Sequence, residues 1–279
     1  MRELSEPDRV GLGWRPELAA GIFAHADDVD LVEVIADDHF RASRAELRAL
    51  RTLGAQVPVV LHGVSLGLAS TEAVDERRLE RMARVVGETQ PELWSEHLAF
   101  VRGGGVEIGH LAAPPRTTAT VEGTARNLER AARIVGAPPL VENVATLIDP
   151  PGSAFDERAW LTGVLAAAPS DLLLDLHNLH ANATNFGFDA HALIAALPAD
   201  RIRAVHLAGG SRAGRRILDD HRHAVPDPVF DLLAAVGRHA TRPLTVILER
   251  DGAYPPFDVL LDELDRARAA LALGRQARS

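Results

Sequence analysis

The sequence predicts a single α/β domain, a (β/α)8 (TIM) barrel spanning residues 1–279. Three observations point there. Short apolar runs of strand length alternate with amphipathic helical stretches along the whole chain. No Pro/Gly/Ser-rich linker divides them. Most of the apolar runs also end in a His, Asp or Glu, as expected where the C-terminal ends of strands meet at one mouth.

Each element follows from local pattern. Val10–Trp14 reads as a first strand, and Pro16 suits the first turn of a helix carrying Leu18, Ala19, Ile22 and Phe23. Leu31–Ile35 is a second strand, ending in Asp37-Asp38, and Arg44–Leu53 is a helix stopped by Gly54. Val57–Leu61 is a third strand ending in His62, before a charged amphipathic helix over Val74–Val86. Leu93–Glu96 is a fourth, ending in His97. Phe100–Arg116 holds Gly103-Gly104-Gly105 and Pro114-Pro115 and reads as a long irregular loop. Val121, Ala125, Leu128, Ala132 and Val135 share one helical face, closed by Gly136. Leu140-Val141 is a fifth strand, ending in Glu142 and Asn143, and Phe155–Ala168 is mostly helical. Leu172–Leu176 is a sixth, followed by a polar loop to Gly187. His191–Leu197 is a short helix. Ile202–Leu207 is a seventh strand with a long loop after it. Val229–His239 is helical, Leu244–Leu248 is the eighth strand, and Val259–Leu273 is the last helix.

Composition narrows the function. Hydrophobic residues make up 47% and charged residues 25%, ample for a buried core. The formal net charge of -9 argues against a nucleic-acid binder, which needs a basic surface. No cysteine is present, so disulfides, iron–sulfur clusters, zinc–thiolate sites and cysteine nucleophiles are excluded. Met1–Glu6 lacks an apolar signal core and no window is long enough for a membrane span, so the expected setting is the cytoplasm.

The candidate residues are Glu33, Asp37, His62, His97, Glu142, Asn143, Asp175, His206, Asp219, His221 and Glu249, most of them at strand ends or in the loops that follow. Burying so many ionisable groups without a cation costs several kcal/mol each. Imidazoles and carboxylates without sulfur suit iron, manganese or zinc. The ligand capacity exceeds one ion, which implies two or three ions sharing carboxylates. His25, His110, His191 and His239, on helices or loops, are expected to have no role. Asp37-Asp38 reads equally as a cap.

The ordered motifs are His62-Gly63-Val64-Ser65-Leu66, Ser95-Glu96-His97, Glu142-Asn143-Val144, Asp175 with Asn178, and His206-Leu207-Ala208-Gly209. Asp219 with His221, Val225-Pro226-Asp227-Pro228-Val229 and Leu248-Glu249 complete them, after an opening Gly11-Leu12-Gly13-Trp14-Arg15-Pro16-Glu17. This set resembles the multinuclear non-heme iron-dependent oxidative enzymes, a family formerly catalogued as a domain of unknown function that includes the iron enzyme of methanobactin biosynthesis. The resemblance implies a TIM barrel holding two or three irons that oxidises a ribosomally made precursor peptide, usually at cysteine, with O2 as co-substrate. It implies that His62, His97 and Glu142 hold one iron, and that Glu142, Asp175, His206 and Glu249 serve a second. Asn143, Asp219 and His221, with Asp175 nearby, would hold a third.

Two positions depart from the family pattern. Family members carry Glu-Asn where this chain has Asp37-Asp38, and Asn-His-Gly where it has Asn185-Phe186-Gly187. His177 and His180 stand where the family carries an Asn and an aromatic residue. With Asp175 they are the expected catalytic groups. The glycine-rich loops Val101–Arg116 and Ala208–Arg216 offer arginines to an acidic leader, and a small partner protein is expected to recognise the precursor. Two other readings use the same residues: a divalent-metal TIM-barrel isomerase or endonuclease-like hydrolase without redox chemistry, and a non-catalytic metal-binding scaffold.

Overall fold

Eight short parallel strands carry the architecture. A computed structural model describes residues 7–278, so the opening segment Met1–Glu6 lies outside the described residues. The strands are β1 (Arg9–Gly13), β2 (Val32–Ile35), β3 (Val59–Gly63), β4 (Trp94–His97), β5 (Leu140–Glu142), β6 (Leu172–Asp175), β7 (Ile202–Leu207) and β8 (Thr245–Leu248). They form a closed barrel in which neighbours in space are neighbours in sequence, as predicted. The helices are α1 (Ala19–Ala24), α2 (Arg44–Gly54), α3 (Glu76–Thr89), α4 (Thr118–Val135), α5 (Glu157–Ala167), α6 (Leu176–Phe186), α7 (Ala190–Ala196), α8 (Asp227–His239) and α9 (Phe257–Gln276). Among the described residues no helix is long and apolar enough to cross a membrane.

The chain divides into two compact halves, residues 33–173 and residues 1–32 with 174–279. In the first, Leu79, Met82 and Val85 form the buried stripe of α3, and Trp160, Leu161, Val164 and Leu165 that of α5. Ser43 and Glu46 form a reciprocal cap at the start of α2, with Glu46 N donating to Ser43 Oγ at 3.3 Å. Asn127, buried in α4, ties down the segment after β3. Its Nδ2 donates to the carbonyls of Leu68, Ser70 and Glu72, and its Oδ1 accepts from Val74 N. In the second half, Leu260, Leu264, Ala267 and Leu271 bury one face of α9.

Three expected loops are ordered elements instead. Phe100–Gly103 pairs antiparallel with Val106–Ala112, and the two-residue turn Gly104-Gly105 has the positive φ angles (58° and 77°) that such a hairpin needs. Gly209–Ala213 pairs likewise with Arg216–His223. The predicted polar loop from the sixth strand to Gly187 is the helix α6. Its His and Asn content is poor for helix propensity, but Asp175 caps it and Leu176, Leu179 and Ala181 bury one side, so tertiary packing overrides propensity. The described residues therefore hold nine α-helices rather than eight.

Candidate metal centre

Within residues 33–173, β3, β4 and β5 are parallel neighbours. Their registers set His62 beside Ser95 and His97 beside Glu142. His62 Nε2 and His97 Nε2 each lie 3.3 Å from Glu142 Oε2, and the two rings meet edge to face with centroids 4.6 Å apart. The other ring nitrogens fix the tautomers. His97 Nδ1 is 3.1 Å from the Gly63 carbonyl oxygen, which can only accept, so Nδ1 carries the proton. His62 Nδ1 is 2.7 Å from Ser95 Oγ, whose own hydrogen goes to the Leu61 carbonyl at 3.3 Å, so this Nδ1 donates as well. Both rings thereby turn Nε2 towards the same carboxylate oxygen, as a ring does when its outer nitrogen is hydrogen-bonded and its inner one ligates. Glu33 and His62 also offer ligand atoms within 4.8 Å of each other.

Nearby acids have structural tasks. Glu96 is fully buried and accepts from His97 N at 3.0 Å and Leu66 N at 3.3 Å. Burial, and then the charge of Asp37, push its carboxyl well above the usual carboxylate range. Asp37 accepts from Val64 N (2.8 Å) and Ser65 N (3.1 Å), so it shapes the turn that follows β3. Asp38 is exposed. Asn143, buried after Glu142, borders a narrow cavity with Leu98, Arg116 and Trp160.

In the other half, Asp175 closes β6 and caps α6, its Oδ1 accepting from Asn178 N at 2.6 Å. His206 Nδ1 lies 3.1 Å from Glu249 Oε2, and Glu249 N donates to the Leu207 carbonyl at 2.8 Å. Asp175, His206 and Glu249 offer ligand atoms within 4.8 Å of one another. A second group adjoins them. Asp219 Oδ1 accepts from His177 Nδ1 at 2.9 Å and lies 2.8 Å from His221 Nε2. His221 Nδ1 is 3.1 Å from Asp251 Oδ2 and 3.5 Å from Glu249 Oε2.

Electrostatics follow from this crowding. Burial lowers the His221 pKa, but the Glu249 charge and the bonds to Asp219 and Asp251 outweigh it and hold the imidazole well above its ordinary range. Burial also works to raise the Asp219 carboxyl, and the bonds from His177 and His221 outweigh that and hold it well below the usual range. His180, half-buried on α6, is shifted the other way: burial, then His177 and Arg212, lower its pKa, so its ring is neutral at pH 7. Gly210 passes directly over His177. A Cβ there would stand 2.0 Å from the Leu218 carbonyl oxygen and 2.5 Å from His177 Cε1.

Sequence reasoning quoted Ser95 within a motif but gave neither it nor Asp251 a role in the site. A period-2 signal could have, since Ser95 stands two residues before His97 and Asp251 two after Glu249. In the motif Asn185-Phe186-Gly187, Asn185, which matches the family pattern, holds the second hairpin to α6 through Ile217 N (2.9 Å) and O (3.0 Å), while Phe186, which departs from it, is partly exposed in the last turn.

These groups fit a cation. Ligand atoms about 2.1 Å from a shared ion stand roughly 3.0–3.4 Å apart at octahedral or tetrahedral angles. The His–Glu142 distances of 3.3 Å and the His206–Glu249 distance of 3.1 Å match that spacing, and the 2.8 Å between His221 and Asp219 is slightly shorter, a hydrogen-bond length. A proton can bridge the same gaps, so binding of an ion would release protons.

The fold and these clusters define a (β/α)8-barrel protein whose strand ends hold imidazoles and carboxylates spaced for metal ions. The family model described as "RiPP precursor modification enzyme MbnB/TglH/ChrH" matches residues 9–272, and the chain belongs to that family, whose substrates are ribosomally made precursor peptides. A "UPF0276 protein" of Caulobacter vibrioides is 34% identical over 271 residues, covering 96% of each chain. Another, of Streptomyces avermitilis, is 37% identical over 273 residues; the match covers 94% of this chain and 55% of that longer relative. Among solved structures, a xylose isomerase domain-containing protein of Salmonella typhimurium superposes with TM-score 0.65 at 15% identity, covering 97% of this chain and 99% of that one. The D-psicose 3-epimerase of Clostridium cellulolyticum H10 gives 0.59 at 13%, with 97% and 99% covered. At such identity the likeness is one of fold.

Two outcomes are expected. Glu142→Ala removes the oxygen faced by both His62 and His97, so metal analysis of purified protein should show fewer ions per chain than wild type; unchanged content contradicts the ligand role. Because the folded pKa of His221 is raised above 6.5, its stabilising effect in metal-free protein is complete below about pH 6.5 and is lost as pH rises through the folded value. Urea titrations of metal-free protein should therefore show lower stability at pH 9 than at pH 6, with a smaller difference in His221→Ala.

Proposed function

We propose that this chain is a multinuclear iron-dependent oxidase that uses O2 to modify a ribosomally synthesised peptide at cysteine. Family membership supports a peptide substrate. The observation that carries the metal assignment is the pair of imidazoles whose outer nitrogens are committed to Gly63 and Ser95, while both inner nitrogens face Glu142. Two or three irons are the proposed complement. His62, His97 and Glu142 would hold one; Asp175, His206 and Glu249 contribute to another. Asn143, Asp219 and His221 remain proposed ligands. Iron supplies one-electron redox chemistry and O2 activation when bound.

The protein's own part is orientation and proton management. The bonds to Ser95 and Gly63 hold the imidazoles of His62 and His97 in one tautomer. Asp175, His177 and His180 are the proposed catalytic groups. His177 is oriented through Nδ1 by Asp219. His180, neutral at pH 7, suits proton acceptance from a substrate thiol or amide. Residues 1–279 are proposed to act as one domain in the cytoplasm, with a small partner protein recognising the precursor. Exposed Arg212 and Arg215 at the tip of the second hairpin suit an acidic leader.

A cysteine-containing precursor peptide added to anaerobically purified, iron-loaded protein should give O2 uptake and a mass change in the peptide on admission of air. His180→Gln should slow it by about 10²–10⁴-fold. Equal turnover with zinc or manganese in place of iron would favour the isomerase or hydrolase reading, and full metal occupancy without turnover the scaffold reading.

A further inference from the structure

Asp251 stands outside every set of residues assigned a role so far, yet it grips His221 at two points. Asp251 N donates to the His221 carbonyl oxygen at 2.8 Å, and Asp251 Oδ2 lies 3.1 Å from His221 Nδ1. His221 needs such a grip. Its φ is +51°, a positive value that few non-glycine residues take, although His is among those enriched there, and the two Asp251 contacts help to hold it. Asp251 is held in turn by Arg15, whose Nε donates to Asp251 Oδ1 at 2.9 Å and whose Nη2 bonds the same oxygen. Arg15 Nη1 is anchored on the Trp14 carbonyl at 2.8 Å. The chain of contacts runs Trp14, Arg15, Asp251, His221, Asp219.

We propose that Asp251, fixed by Arg15, is the positioning residue that decides which nitrogen of His221 faces a cation. An imidazole can ligate through either nitrogen, and the hydrogen bond made by one selects the other. With Nδ1–H given to Asp251, Nε2 is turned to Asp219 Oδ1, 2.8 Å away, as one edge of a coordination shell. The carboxylate also raises the basicity of the ligating nitrogen. Arg15 is suited to hold Asp251, because its planar fork bonds the carboxylate through two nitrogens. This role rests on the reading of His221 and Asp219 as ligands.

The test is anaerobic titration of metal-free, full-length protein with ferrous iron, reading stoichiometry and affinity rather than turnover. Asp251→Ala should weaken one bound equivalent by about 10–100-fold, the usual effect of losing an outer partner of a ligand. Asp251→Asn should weaken it less, because the amide oxygen still accepts from Nδ1–H. Arg15→Lys should fall between wild type and Asp251→Ala, and these two milder variants carry the comparison if Asp251→Ala does not fold. Wild-type affinity in all three variants, alongside loss of one equivalent in His221→Ala, overturns the positioning role and leaves the metal reading intact. Absence of iron binding by the wild-type protein overturns both.

Discussion

Charge withdrawn from water is the constraint that the rest of this protein answers to. Glu33, Glu142, Asp175, His206 and His62 are almost wholly buried; Glu33 lies within β2, and the others sit at or near the C-terminal end of a barrel strand. Isolated in a low-dielectric interior, each would be costly to ionise. The chain offsets that cost by juxtaposition. Imidazole nitrogens stand 3.1–3.3 Å from carboxylate oxygens, so that a proton or a metal ion can always lie between them. Such an arrangement is poor design for an apolar core and good design for holding cations.

The hydrogen bonds around the clusters give them direction. Ser95 and the Gly63 carbonyl take the outer protons of His62 and His97, and Asp219 takes that of His177. Neutral backbone and hydroxyl partners serve one half of the chain, while carboxylates serve the other. Of these rings, His221, despite its burial, is held well above the ordinary imidazole range by Glu249, Asp219 and Asp251. The two groups of imidazoles thus have outer partners of different charge.

Much of this was legible in the sequence because the fold repeats one rule. Parallel strands buried on both faces read as short apolar runs, and the polar residue that ends each run marks the site. The strands after the first were read that way, and His62, His97, Glu142, Asp175, His206 and Glu249 were singled out as candidates by it. What stayed hidden has three physical causes. The residues Leu176–Phe186 form a helix although their His and Asn content favours a loop, because Asp175 caps it and its buried side decides. The two hairpins were read as loops because their glycines signalled breaks rather than tight turns. Asp251 and the role of Ser95 were missed for a different reason: a side chain that supports a ligand leaves a weaker mark than the ligand, only a polar residue two places away in the chain. Asp37 shows the converse, a strand-end acid whose oxygens are taken by the amides of Val64 and Ser65.

The account is tested most directly by X-ray diffraction from anaerobically grown, iron-loaded crystals, with data collected on both sides of the iron absorption edge. It predicts anomalous peaks within bonding distance of Glu142 Oε2, His62 Nε2 and His97 Nε2, and of Asp219 Oδ1 and His221 Nε2. Iron scattering found only away from these atoms, or no peak at all in iron-replete crystals, would contradict it.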